Sequence, residues 1–265
     1  MKKIISVALV LIMAVAMFVF TGCAPKEKLI CGVTPIKGLN EKDANGKWTI
    51  GFETEFALEV GKILGMEVEF QEIDWEQKYN ELNSGAINCI WNGFTANSSD
   101  NGIKRSELVD FSYGYMLNQQ CIVVKQDKLA EYSTVEALAG KTACVEGGSA
   151  GQATAEEITD KENITKATAQ INAFTEVKSG AVEFIVVDII LAQNICGQGD
   201  YADLAIVESI ELPSEIYAIG FKKDSPLTEK VNAAIKQLEE NGKLMEIAKK
   251  YKYENVLKVT ENIEY

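Results

Sequence analysis

Residues 86–112 read AINCIWNGFTANSSDNGIKRSELVDFS. Ala86 to Trp91 is a short apolar run between Ser84-Gly85 and Asn92-Gly93, the pattern of a parallel strand buried on both faces. Ligands of open α/β sheets collect beyond the carboxyl ends of such strands. Backbone N–H groups of the Asn92-Gly93 turn and the hydroxyl of Thr95 are therefore expected to face a cleft. Arg105 can add a planar guanidinium, whose paired N–H groups suit a small carboxylate. Taken alone, it is more often a surface arginine.

Working outward, the chain carries GFETEFALEVGKILG at 51–65 and FQEIDWEQKYNELNSGAINCIWNGFT at 70–95, then Arg105 five residues before Asp110 of VDFS. AGKTACVEGGSAG follows at 139–151 and VKSGAVEFIVVDIILAQ at 177–193. In order and spacing these segments, with residues 217–251, resemble the extracytoplasmic amino-acid-binding proteins of ABC importers, solute-binding protein family 3. The resemblance implies a type II periplasmic binding protein: two Rossmann-like α/β lobes joined by a two-segment hinge. The expected partition is 29–119 plus 217–265 for the first lobe and 120–216 for the second.

Composition narrows the function independently. The chain has 265 residues, 47% hydrophobic and 25% charged, enough for one large or two modest domains. Acids exceed bases 39 to 26, a formal charge of −13, which argues against nucleic acid or an anionic membrane surface as partner. Histidine is absent, removing Ser-His and Cys-His nucleophile pairs and His-ligated zinc. No spacing suggests a metal or a cofactor. The glycine cluster at 147–151 fits neither a P-loop nor a dinucleotide fingerprint.

Lys2 and Lys3 precede an apolar run from Ile4 to Phe20 that ends in Phe20-Thr21-Gly22-Cys23, so residues 1–23 read as a secretory signal. Small residues before Cys23 resemble a lipobox, in which that cysteine is acylated. Residues 24–28 would then be a tether to the outer face of the membrane. Phe20 stands where such boxes usually have Leu. The alternative is an uncleaved membrane anchor, for which seventeen apolar residues are barely long enough. Of the other five cysteines, Cys31, Cys89, Cys121, Cys144 and Cys196, most lie in apolar strand runs and read as buried free thiols.

The resemblance also assigns roles. Phe52 falls where the family sets an aromatic against its ligand, although a core phenylalanine is as consistent with the residue type. Trp75, Tyr79 and Leu82 share a helical face and read as core. Residues 96–104 lengthen the usual link between Thr95 and Arg105 and are expected to loop outward without moving either end. Glu146, Ser149 and Ala150 occupy ligand-contacting positions. Asp188 matches the acid that binds the ligand's α-ammonium, or else it caps the helix starting at Ile189. Residues 35–41 lack the family's usual aromatic, which points to a polar or cationic ligand side chain.

The expected function is capture of an amino acid between the lobes, its carboxylate on Arg105 and its ammonium on Asp188, and delivery to an ABC permease by a monomer that is not an enzyme. Two alternatives use the same residues. One is a lyase or dehydratase with Glu146 and Asp188 as acid and base. The other is a sensory lipoprotein with a vestigial cleft.

Overall fold

The computed structural model describes residues 26–264. Cys23 and the signal segment lie outside the described residues. Among the described residues no helix is long and apolar enough to cross a membrane.

Two sheets organise the chain. The first has the order Glu67–Glu72, Lys28–Val33, Cys89–Ile90, Gly220–Phe221, Asp110–Phe111. Its first three strands are parallel, and Gly220–Phe221 joins antiparallel between Cys89–Ile90 and Asp110–Phe111. Period-two alternation divides its faces. Leu29, Cys31 and Val33 pack with Phe56 and Val60 of the helix Phe52–Leu64 and with Val231 and Leu244 of the two last helices, Pro226–Glu240 and Lys243–Tyr251. Ile30 turns the other way, toward Ile73, Trp75 and Phe94. The strand within 86–91 is shorter than the apolar run, because only Cys89 and Ile90 keep ladder partners before the chain turns at Gly93, φ 55°.

The second sheet runs Ile164–Ala167, Ala143–Glu146, Phe184–Asp188, Gly114–Lys125, Leu204–Ile206. It too is covered on both faces. Val145 and Val186 face Ala155 and Ile158 of the helix Ala150–Ile158, while Cys144 and Ile185 face Phe174 and Val177 of the helix Gln170–Ser179. Cys31, Cys89, Cys121 and Cys144 are buried free thiols, and Cys196 is half-buried.

The long strand Gly114–Lys125 spans both regions. Met116 to Gln119 pair with Ser214–Tyr217, and further along Gln120 to Val123 pair with Phe184–Asp188. After Tyr217 the chain enters the first sheet at Gly220. The polypeptide thus crosses between sheets twice, side by side, which is the construction of a hinge.

One glycine fixes how the second sheet meets its covering helix. A Cβ on Gly151 would lie 2.7 Å from the Val186 carbonyl oxygen and 3.0 Å from Gln120 Oε1. The helix Ala150–Ile158 therefore lies on the strand at a distance that only hydrogen at this position permits. Gly151→Ala is expected to lift that helix and cost roughly 1–3 kcal/mol, as overpacking does. A urea unfolding curve superimposable on the parent's would contradict this.

Candidate functional site

The site forms where strands end. Asn92, Gly93 and Thr95 follow Cys89–Ile90, Glu146 closes Ala143–Glu146, and Asp188 closes Phe184–Asp188. With Arg105, Ser149 and Ala150 they line one small, tightly closed pocket, joined by Trp75, Gln120 and Gln170. Eight of the nine residues expected at a ligand site are thereby brought together. Phe52 is not among them.

Phe52 is the correction. It is fully buried in an aromatic cluster, with ring centroids 5.9 Å from Phe56, 6.4 Å from Tyr115 and 6.1 Å from Tyr253. Full burial of a phenylalanine is worth roughly 2–3 kcal/mol, and Tyr253, just past the last helix, is a partner that the sequence near Phe52 does not reveal.

Three other expectations change in detail. The Gly93 N–H is already given to Glu53, at 2.9 Å and 3.0 Å from its two oxygens, so it does not serve the pocket. Asn92 lines the pocket, yet its amide is spent on Thr34 and Asn40. Residues 96–104 do project outward, but as a paired hairpin rather than slack loop: Ser99–Asp100 pairs with Ile103–Lys104, residues 101–104 are exposed, and Asp100 reaches Arg105. Asp100 Oδ1 accepts from Arg105 Nε at 3.0 Å and Nη2 at 2.9 Å. Burial raises the Asp100 carboxyl, but Arg105 and Lys78 outweigh it and hold the group below its ordinary range.

Asp188 occupies the N-cap position of the helix Ile189–Ile195, but its side chain accepts no hydrogen bond from that helix. Side-chain amides hold it instead. Asn118 Nδ2 donates to Asp188 Oδ1 at 2.8 Å and Gln120 Nε2 at 2.6 Å, while Gln170 Nε2 donates to Oδ2. The same two donors, Asn118 and Gln120, also reach Glu215 Oε2 at 2.7 Å and 3.0 Å. Strand register explains this sharing. Asp188 pairs with Gln120 and Glu215 with Asn118, and residues 118 and 120 point to one face. Thr95 Oγ1 completes the shell of Glu215 at 3.2 Å.

Four acids are therefore buried at or beside the pocket. Burial, followed by the charge of Asp188, pushes Glu146 up to about 8 and Glu215 up to about 7. Burial pushes Glu53 up to about 7 against the hydrogen bonds of Tyr115 and Gly93. Asp188 is raised by burial, with its amide donors opposing. Two buried acceptors that line the pocket, Glu146 Oε1 and Gln120 Oε1, have no hydrogen-bond partner among the described residues. Such groups cost roughly 1–3 kcal/mol each unless a donor arrives.

The two sides of the pocket touch. Lys78 Nζ donates to the Gly148 carbonyl at 2.8 Å, and Lys166 pairs with Glu76 at 2.6 Å. The loop comes close here, since a Cβ on Gly147 would sit 2.7 Å from Glu76 Cδ. Ser149 caps its helix by accepting from the Gln152 N–H at 3.0 Å. Trp75, Glu215, Glu53 and the three amides were missed in the sequence. Only the alternation of Asn118 and Gln120 within one strand offered a signal.

The model of the bacterial extracellular solute-binding proteins, family 3, matches residues 30–254. The arginine-binding extracellular protein ArtP of Bacillus subtilis is 28% identical over 92% of this chain and 96% of its own length. Among solved structures, an ancestral arginine-binding protein bound to arginine is 30% identical, with a TM-score of 0.76 over 86% of this chain and 99% of that one. ArtJ of Geobacillus stearothermophilus, which binds arginine, lysine and histidine, is 28% identical with a TM-score of 0.77, over 85% of this chain and 95% of that one.

The buried acids make stability depend on pH. The three glutamates have folded pKa values above the ordinary 4.5, so folding favours their protonated form. That contribution is complete below about 4.5 and is lost as pH rises through 7 to 8. The melting temperature of the unliganded protein should fall by several degrees between pH 5 and pH 8.5, at roughly 2–4 °C per kcal/mol. Glu215→Gln should flatten the slope, and a flat parent profile would show these carboxyls to be solvated.

Proposed function

This chain belongs to the bacterial extracellular solute-binding proteins, family 3, and we propose that the amino acid it captures for ABC import has a cationic side chain. Capture is extracytoplasmic. Glu146 and Gln120 present unpartnered acceptor oxygens to a pocket that also holds Asp188, and this observation carries the reading. A second cationic group on the ligand supplies the donors and the charge that those oxygens call for. The arginine-binding character of ArtP and ArtJ is consistent with it.

In this reading the α-ammonium meets Asp188, and the α-carboxylate meets Arg105 and Thr95. The side chain extends toward Glu146. Residues 29–119 with 217–265 form one lobe and 120–216 the other, hinged along the paired strands at Met116–Gln119 and Ser214–Tyr217. A ligand gripped by Arg105 on one lobe and by Glu146 and Asp188 on the other favours closure through contacts that exist only when the lobes meet. We further propose that a lipid on Cys23 keeps the protein, as a monomer, near its permease.

Isothermal titration with L-lysine and L-arginine tests the side-chain assignment. A cation entering beside Glu146, whose pKa is about 8, drives that group to ionise. Binding at pH 7 should therefore release up to about one proton, read from heats in buffers of different ionisation enthalpy. Glu146→Gln should abolish the release and weaken lysine and arginine roughly tenfold or more, leaving glutamine nearly unaffected. A preference for glutamine in the parent protein, without proton release, would refute the cationic assignment.

Asp188→Asn separates the ammonium role from a structural one. The Asp188 side chain makes no cap hydrogen bond that the change could remove, and loss of one charge beside Glu215 relieves repulsion, so the unliganded variant should melt no earlier than the parent. Affinity should fall by roughly 2 kcal/mol or more, about thirtyfold. Early melting with normal affinity would make the residue structural.

A further inference from the structure

The hairpin at Ser99–Asp100 and Ile103–Lys104 turns on Asn101, φ 51°, and Gly102, φ 79°. Two successive positive φ values on Asn-Gly make the two-residue turn that matches strand twist. Its base is tied by the Arg105 N–H to the Ser98 carbonyl at 3.0 Å. The hairpin is thus a built element rather than slack chain. It delivers Asp100, whose side chain is 13% exposed, to the arginine of the pocket.

Donor counting shows the consequence. A guanidinium has five N–H groups. Nε and one of the two on Nη2 go to Asp100 Oδ1. The other on Nη2 points to the Gly148 carbonyl at 3.4 Å, and one on Nη1 goes to the Thr95 carbonyl at 3.1 Å. A single Nη1 proton is uncommitted. The second oxygen of Asp100 accepts from Tyr79 and lies 3.3 Å from Lys78 Nζ. Both cations at this end of the pocket already face a carboxylate of the chain itself, and a neutralised pair attracts a further anion much less than a bare guanidinium does.

We propose that Asp100 is an internal competitor for the ligand's α-carboxylate, a specificity-determining residue that lowers affinity and eases release. A ligand gains full use of Arg105 only by exchanging with Asp100. This rests on the amino-acid reading of the site. It adds a residue whose removal should improve binding, the opposite of what a supporting residue does.

The test is Asp100→Asn, titrated calorimetrically with L-lysine, L-arginine and cadaverine, which is lysine without its carboxylate. Both amino acids should bind about tenfold tighter, equivalent to about 1.4 kcal/mol. Cadaverine should bind no tighter, because the variant only removes a negative charge from its surroundings. Opposite responses of lysine and cadaverine distinguish competition from a general change of charge. Tyr79→Phe keeps the carboxylate but removes a donor to it, so more of its charge falls on Arg105 and both amino acids should bind about threefold weaker. It serves should the first variant, with Lys78 and Arg105 less screened, not fold. Weaker or unchanged amino-acid binding in folded Asp100→Asn, or unchanged or tighter binding in Tyr79→Phe, overturns the proposal, and weaker binding in Asp100→Asn would make Asp100 a support that orients Arg105. If the parent binds amino acids and the variants respond in one of these contrary ways, this inference alone fails. If neither parent nor variants bind any amino acid, the functional reading fails and takes this inference with it.

Discussion

Two carboxylates that share amide donors stand at the centre of the molecule. Asp188 belongs to the second sheet and Glu215 to the strand that leads back to the first, and Asn118 and Gln120 of the long strand bond to both. Burying like charges together is unfavourable unless their lone pairs are satisfied and a counter-charge or proton is supplied. Amide donors meet the first requirement. They leave the second open, so the seam between the sheets carries an electrostatic deficit that protons offset on the raised carboxyls.

That deficit lies on the hinge itself. Asn118 and Gln120 are in the strand about which the halves are connected, so the acids are held by the backbone that must bend. The glycines at 147 and 148 serve the same seam from the other side by letting the loop meet Glu76 without side chains of its own.

Much of this was legible in the sequence, for identifiable reasons. Apolar runs punctuated by glycine predicted the parallel strands. Ser225-Pro226 has the cap-then-proline order of a helix start, and Ser225 does accept from the Leu227 N–H. Positions just after strand ends predicted the pocket, because in this architecture strand ends converge. The failures involve partners far apart along the chain. Phe52 pairs with Tyr115 and Tyr253, and no local pattern tells an aromatic facing a ligand from one facing rings distant along the chain. Glu53 looks like an ordinary first-turn acid until Tyr115 and Gly93 are seen to enclose it. Residues 96–104 are polar and turn-rich, which reads as solvated loop. What the composition hides is that Asn101-Gly102 folds the segment back so that one of its acids finds an arginine.

The same hairpin has an evolutionary consequence. Its ends are joined by a backbone bond between Arg105 and Ser98, so it can lengthen or vanish with little disturbance to the strands on either side. On the role proposed for Asp100, binding strength is open to changes of loop length as well as to point substitutions within the pocket. A scavenger for scarce nutrient and a fast-cycling carrier for abundant nutrient can differ by a few codons of loop, while the residues that recognise the cargo stay as they are.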